Sequence, residues 1–339
     1  MQLTQTIHAR AGLLGNPSDG YFGKTISCLV KNFSAAVVLE ESVRIELLPN
    51  PQFDPMVFDS IESLRATYRT QGYYGGMRLL QAACKRFADV CAEGDLRLDA
   101  PPFTLRYHTD IPQQVGLSGS SAIVIATLRA LIRWYDVENS FPRERFPGLA
   151  LSVEAEVLGI TSGLQDRVIQ TYGGVVYMDF DRALLESRGY GEYESLTPSS
   201  LPPLFLAYVM QPSDSGKFHS DVRRRWLEGD TEAHQAMLTF AGFAAEGKTA
   251  MASGDHRRIA ELFGQAFQLR RSLFGDNVLG PYNLRMVALA NQHGFQATTC
   301  GSGGAIVGLL GDSEQNAAFA HSLEAEGYRF LQLEVGPEY

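Results

Sequence analysis

The sequence predicts a chain of two domains that mixes strands with helices, and three observations carry that expectation. Its 339 residues exceed what one hydrophobic core usually organises. Alternating apolar residues, as at Phe103, Leu105 and Tyr107, give way repeatedly to apolar residues spaced three and four apart. A stretch with three prolines, residues 196–203, marks a boundary, so the expected domains are 1–198 and 203–339.

In chain order, residues 25–39 and 43–48 read as strands, preceded by a loop over 9–20 where Gly12, Gly15, Asn16-Pro17 and Asp19-Gly20 signal turns. Arg10 and Asp19 bracket that loop. A glycine and aromatic turn at 71–76 leads into a helical pattern over 77–91, whose stripe of Leu79, Leu80, Ala83, Phe87 and Val90 reads as core. Further helices are expected at 123–135 and 146–158, the second carrying Glu154 and Glu156 and ended by Gly159. A strand at 175–180 and one at 204–210 follow, then helices over 230–252, 255–274 and 280–293. Two strand-like runs meet at the glycine turn of 296–307, and a helix at 313–326 and a strand at 328–335 close the chain.

The segment Pro112-Gln113-Gln114-Val115-Gly116-Leu117-Ser118-Gly119-Ser120-Ser121-Ala122 joins a strand to a long apolar helix. The first N–H groups of a helix lack helical partners and sit at the positive end of its dipole, and glycines let an anion approach the main chain. Serine hydroxyls there can donate to phosphate or coordinate magnesium. Taken alone, the window reads equally as a serine-capped helix after a strand–helix turn. It is not a Walker A loop, because the Gly-Lys-Ser/Thr ending is missing and residues 112–135 contain no lysine.

Composition excludes several classes. Hydrophobic residues make up 45% and charged residues 20%, an ordinary globular balance, and the net charge of −9 argues against a nucleic-acid surface. Cys28, Cys84, Cys91 and Cys300 are scattered without metal-ligand spacing, as expected of thiols in a reducing cytoplasm. The first residues lack a basic, then apolar, leader, and no run of about 18 apolar residues occurs, so neither export nor a membrane partner is expected.

The 112–122 loop resembles the phosphate loop of the GHMP kinase superfamily of galactokinase, homoserine kinase, mevalonate kinase and phosphomevalonate kinase, although it is one residue longer. Arg10, Leu13, Gly15 and Asp19 fall on the first galactokinase motif, with Asn16-Pro17 departing from its Glu-His. Glu154, Gly159, Gly163 and Asp166 match a third segment in register, with Arg167 in place of a glutamine. Gly301-Ser302-Gly303-Gly304 resembles the glycine motif that packs beside the phosphate loop. Nearly the whole chain, including Gly-Leu-Gln-Asp-Arg-Val at 163–168 and Pro-Ser-Asp-Ser-Gly-Lys at 212–217, is similar to the plant-type glucuronokinase family.

The resemblance implies an α+β fold with two domains, an N-terminal mixed α/β domain holding the phosphate-loop helix and a C-terminal ferredoxin-like domain, with the site between them. It implies an ATP- and magnesium-dependent sugar kinase that converts glucuronate to glucuronate 1-phosphate, the alternatives being a galacturonate or neutral-sugar kinase or a silent sugar sensor. Asp166 is then the general base and Arg10 its electrostatic partner, because a sugar hydroxyl attacks only once a carboxylate takes its proton. Asp19 binds sugar hydroxyls. Gly116, Leu117, Ser118, Gly119, Ser120, Ser121, Gly301, Ser302 and Gly303 hold the nucleotide phosphates, and Glu154 with Ser121 holds magnesium. The sugar carboxylate needs a cation, for which Arg167, Lys217, Arg223 and Arg224 are candidates.

Overall fold

The structure is a computed structural model that describes residues 1–71, 75–160, 162–210 and 220–339. The chain begins with strands β1 (Gln2–Leu14), β2 (Lys24–Glu41) and β3 (Glu46–Leu47), helices α1 (Ile61–Gln71) and α2 (Gly76–Glu93), and strand β4 (Phe103–Thr109). Helices α3 (Gly119–Trp134), α4 (Phe146–Ser152) and α5 (Gln165–Tyr172) follow, then β5 (Val175–Asp179), α6 (Arg182–Arg188), β6 (Glu192–Leu196) and β7 (Leu204–Val209). The remainder is α7 (Ser220–Leu227), α8 (Thr231–Ser253), α9 (His256–Phe274), α10 (Asp276–Gln292), β8 (Ala297–Thr299), β9 (Ala305–Leu309), α11 (Ser313–Ala325) and β10 (Tyr328–Leu333). Among the described residues, no helix is long and apolar enough to cross a membrane.

Two compact units emerge: Met1–Ala9, Phe33–Ile111 and Ser118–Thr171 form one, and Arg10–Asn32, Pro112–Leu117 and Tyr172–Tyr339 the other. Strands β1 and β2 pair, and the division falls within both. In the first unit the end of β2 runs antiparallel to β4, with Ala35 opposite Thr109, and β3 lies parallel to β4. The apolar residues of α3 are buried all round, from Ala122 to Trp134, so this helix is core rather than a surface helix with one apolar stripe. Helix α2 buries Leu79, Leu80, Ala83 and Phe87 as its stripe requires.

In the second unit, β7, β8, β9 and β10 form an antiparallel sheet of order β10-β7-β9-β8, with α7 to α10 between β7 and β8 and α11 between β9 and β10. This is the ferredoxin-like βαββαβ arrangement. Phe205 on β7 packs edge-on against Phe295 and Phe319 at its centre.

Three local expectations need correction. Residues 9–14 belong to β1, not to a loop; Ala9 to Leu14 are all buried, and a strand covered on both faces shows no alternation to read. The strand expected over 43–48 shrinks to Glu46–Leu47, and Val43 is almost fully exposed. The helix expected over 146–158 stops at Ser152 and continues as a π-helical turn, Val153–Val157. Such turns shift side-chain phase, and here Glu154 is buried while Glu156 is exposed and 3.9 Å from Arg86.

Candidate active site

The second unit brings together residues 112–117 of the loop before α3, the glycine turn and two buried arginines. Arg10, at the inner end of β1, donates from Nη1 to the carbonyls of Gly116 and Cys300, both at 2.7 Å, and its own N–H donates to Leu117 O. One guanidinium therefore ties the loop after β4 to the turn between β8 and β9. The two loops touch backbone to backbone. A Cβ on Gly301 would lie 2.5 Å from Gly116 O and 2.9 Å from Arg10 Nη1, so only glycine fits. Asn283 supports the turn by accepting from Gly304 N at 2.9 Å.

Arg270, on α9, donates from Nη1 to Thr299 Oγ1 and Gly301 O and from Nη2 to Asn16 Oδ1, at 3.0, 2.8 and 2.7 Å. Burial, with the Arg10 guanidinium second, pushes its pKa down to about 10, and Asp19 acts in the opposite sense. Asp19 lies half-buried in the helical turn Ser18–Tyr21. Burial pushes the Cys28 thiol up to about 12 and raises that of Cys300, against the pull of Arg10 in both cases. Both are structural thiols, in line with their scattered spacing.

The first unit holds the helix start and the carboxylates. Ser118 precedes α3 in the left-handed region at φ 63°, and Gln114 and Gly116 before it also have positive φ. A non-glycine residue there is strained, a feature that concentrates at ligand-binding loops. Ser118 Oγ is buried with no hydrogen-bond partner among the described residues. Ser121 is buried and donates to Gln170 Oε1 at 2.6 Å, whereas Ser120 is exposed. Gln170 Nε2 in turn donates to His8 O and Ser118 O.

Asp166 is the second residue of α5, a quarter exposed, with Arg167 Nη1 3.6 Å from its Oδ2. Arg167 itself turns inward, forms a buried ion pair with Glu154 Oε2, and donates to Gly163 O at 3.0 Å. Among the described residues, no group of three or more His, Cys, Asp or Glu side chains is placed to hold a metal.

The expected residues thus fall into two sets, Arg10, Asp19, Gly116, Leu117, Gly301, Ser302 and Gly303 in one unit and Ser118 to Ser121, Glu154, Asp166 and Arg167 in the other. Arg224 is 60% exposed and paired with Asp221 and Glu228 along α7. Lys217 lies outside the described residues. Arg270, Gln170 and Asn283 were missed. The signal for Arg270 was present: it follows Ile259, Leu262, Phe263, Ala266 and Phe267 on one helical face, an arginine in an apolar stripe. Gln170 stands one helical turn after Asp166, and nothing local distinguished it.

Comparison with known proteins agrees with this architecture. Residues 78–174 match the GHMP kinases N terminal domain. Glucuronokinase 1 of Arabidopsis thaliana is 47% identical over 88% of this chain and 82% of its own length. Probable glucuronokinase 2 of the same plant is 49% identical over the same shares. A crystal structure of Lactococcus lactis galactokinase complexed with galactose has a TM-score of 0.76 at 14% identity, covering 99% of this chain and 94% of that one, a likeness of fold. The chain belongs to the GHMP kinases and, among them, to the glucuronokinase family. It is accordingly an enzyme, a sugar kinase.

Proposed function

We propose that this kinase transfers the γ-phosphoryl group of ATP to the anomeric hydroxyl of D-glucuronate, giving glucuronate 1-phosphate and ADP. The observation that carries the reading is the 47–49% identity to two glucuronokinases over most of the chain. Asp166 accepts the proton of the attacking hydroxyl, which is too weak a nucleophile at neutral pH without a carboxylate in hydrogen-bond reach. Arg10, oriented by the carbonyls of Gly116 and Cys300, stabilises charge on the transferring phosphoryl group. Asp19 accepts from sugar hydroxyls.

Gly116 to Ser121 and the turn of Gly301, Ser302 and Gly303 receive the nucleotide phosphates, and the unpartnered hydroxyl of Ser118 supplies a donor for one of them. Magnesium prefers oxygen ligands and retains several waters, so one carboxylate and one hydroxyl suffice as its protein ligands. Arg167 engages Oε2 of Glu154, and Oε1 has no hydrogen bond among the described residues, so Glu154 and the Ser121 hydroxyl fit that donor set. The ion, when bound, neutralises charge on the phosphates.

The position of transfer is tested on the product of a reaction with ATP and D-glucuronate. Phosphorylation at C1 removes the reducing end and couples the phosphorus to the anomeric proton in the NMR spectrum. A product that still reduces copper reagents contradicts transfer to the anomeric oxygen.

A further inference from the structure

We infer that Arg270 is the specificity residue that pairs with the carboxylate of the sugar acid; the inference rests on the glucuronate reading above. Arg270 is 6% exposed, and no acidic side chain forms an ion pair with it among the described residues. A buried cation without a counter-ion is costly, and natural interiors supply one from the protein or from a ligand. Its neighbour Arg10 adds a second buried positive charge, and the Asp19 carboxylate, which forms no ion pair with Arg270, offsets the two only in part.

The guanidinium has five N–H donors. Three are spent on Thr299 Oγ1, Gly301 O and Asn16 Oδ1, which lock the side chain in place. Nε–H and one N–H of Nη2 are left over among the described residues, two donors that a carboxylate can accept. The guanidinium carbon lies over the Phe274 ring, 5.6 Å from its centre, a contact that uses no donor.

Position favours the sugar over the nucleotide as the source of the anion. Arg270 holds Asn16, three residues before Asp19 on the same turn, and it feels the Asp19 carboxylate electrostatically. Asp19 is the residue assigned to sugar hydroxyls. Of the other candidates for the acid, Arg167 is engaged by Glu154 and Arg224 by Asp221 and Glu228, Arg223 is exposed on α7, and Lys217 lies outside the described residues. A rigid arginine beside the sugar-binding turn distinguishes a uronic acid from the neutral hexose of the same shape.

The test compares kcat/KM for D-glucuronate and for D-glucose in the wild type, Arg270→Met and Arg270→Lys, together with the KM for ATP. The glucuronate-to-glucose ratio is expected to fall about 10-fold or more in Arg270→Met, the scale of a lost charge-assisted hydrogen bond. In Arg270→Lys, which keeps the charge but not the planar fork, a fall of about 3-fold or more is expected. A merely structural arginine lowers both sugars alike and leaves the ratio unchanged, and that result overturns the inference. An unchanged ratio with a raised KM for ATP also overturns it, because the anion met is then a phosphate. Should Arg270→Met fail to fold, Arg270→Lys decides alone by the same ratio. A wild type that prefers glucuronate, with the ratio kept in the variants, sinks only the role of Arg270; a wild type without that preference sinks the glucuronate reading and this inference together.

Discussion

Glu154 and Arg167 bury their charges against each other, each side chain 3% exposed, and this pairing sets what substitution there does. Removing one partner leaves an uncompensated charge in the interior. Arg167→Met is expected to cost about 3–5 kcal/mol in urea unfolding, and adding Glu154→Gln to recover much of that loss. A single variant as stable as wild type contradicts a structural pair. Asp166 is different, being partly exposed at the start of α5. Asp166→Asn is expected to keep ATP affinity and lose turnover by about 100-fold or more, read from steady-state kinetics; near-normal turnover removes it as the base. The buried thiols give a pH prediction. With Cys28 raised to about 12 by burial, neutral in the fold and ionised in the unfolded chain from about pH 8.5, its contribution to stability is full below that pH and is lost as pH rises toward 12. Iodoacetamide at pH 8 should leave Cys28 and Cys300 unmodified until the chain unfolds. Rapid labelling of either in the folded enzyme runs against their burial.

Among the elements, the junction into α3 holds a strained backbone conformation at the proposed phosphate site. Ser118 holds a left-handed conformation that glycine adopts freely, so Ser118→Gly is expected to keep or raise the thermal midpoint while raising the KM for ATP. A variant with unchanged KM removes the Ser118 hydroxyl from the phosphate site. The π-helical turn after α4 is the other element whose irregularity serves a side chain: it brings Glu154 inside, where a continuous helix would change its phase. Neither irregularity was legible in the sequence. Helical periodicity reports which face is apolar, and 146–158 keeps an apolar pattern across the π-helical turn. The kink in α10 at Gly280-Pro281 was half legible, since the expected helix began at Gly280, and the turn before it from Asp276 was missed.

For the whole molecule, the parts that sequence revealed are those governed by local chemistry. Helices α2, α8, α9 and α11 were read to within a residue or two because each carries a periodic stripe or a capping aspartate, as Asp230, Asp255 and Asp312 do for the last three. The glycine turn at 301–304 and the glycine- and serine-rich loop before α3 were legible as loops from composition, their role toward phosphate only from the resemblance, and the structure packs Gly301 on Gly116. What sequence hid depends on distant partners. Residues 9–14 lose their alternation because both faces are covered, and the 254-residue separation of Arg270 from Asn16 leaves no local trace. An ADP-release assay over D-glucuronate, D-galacturonate, D-glucose and D-galactose decides whether this enzyme phosphorylates a sugar acid. The highest kcat/KM is expected for D-glucuronate, by about 10-fold or more over the neutral hexoses, the scale of one charge-assisted contact. Equal kcat/KM for glucuronate and glucose would contradict it.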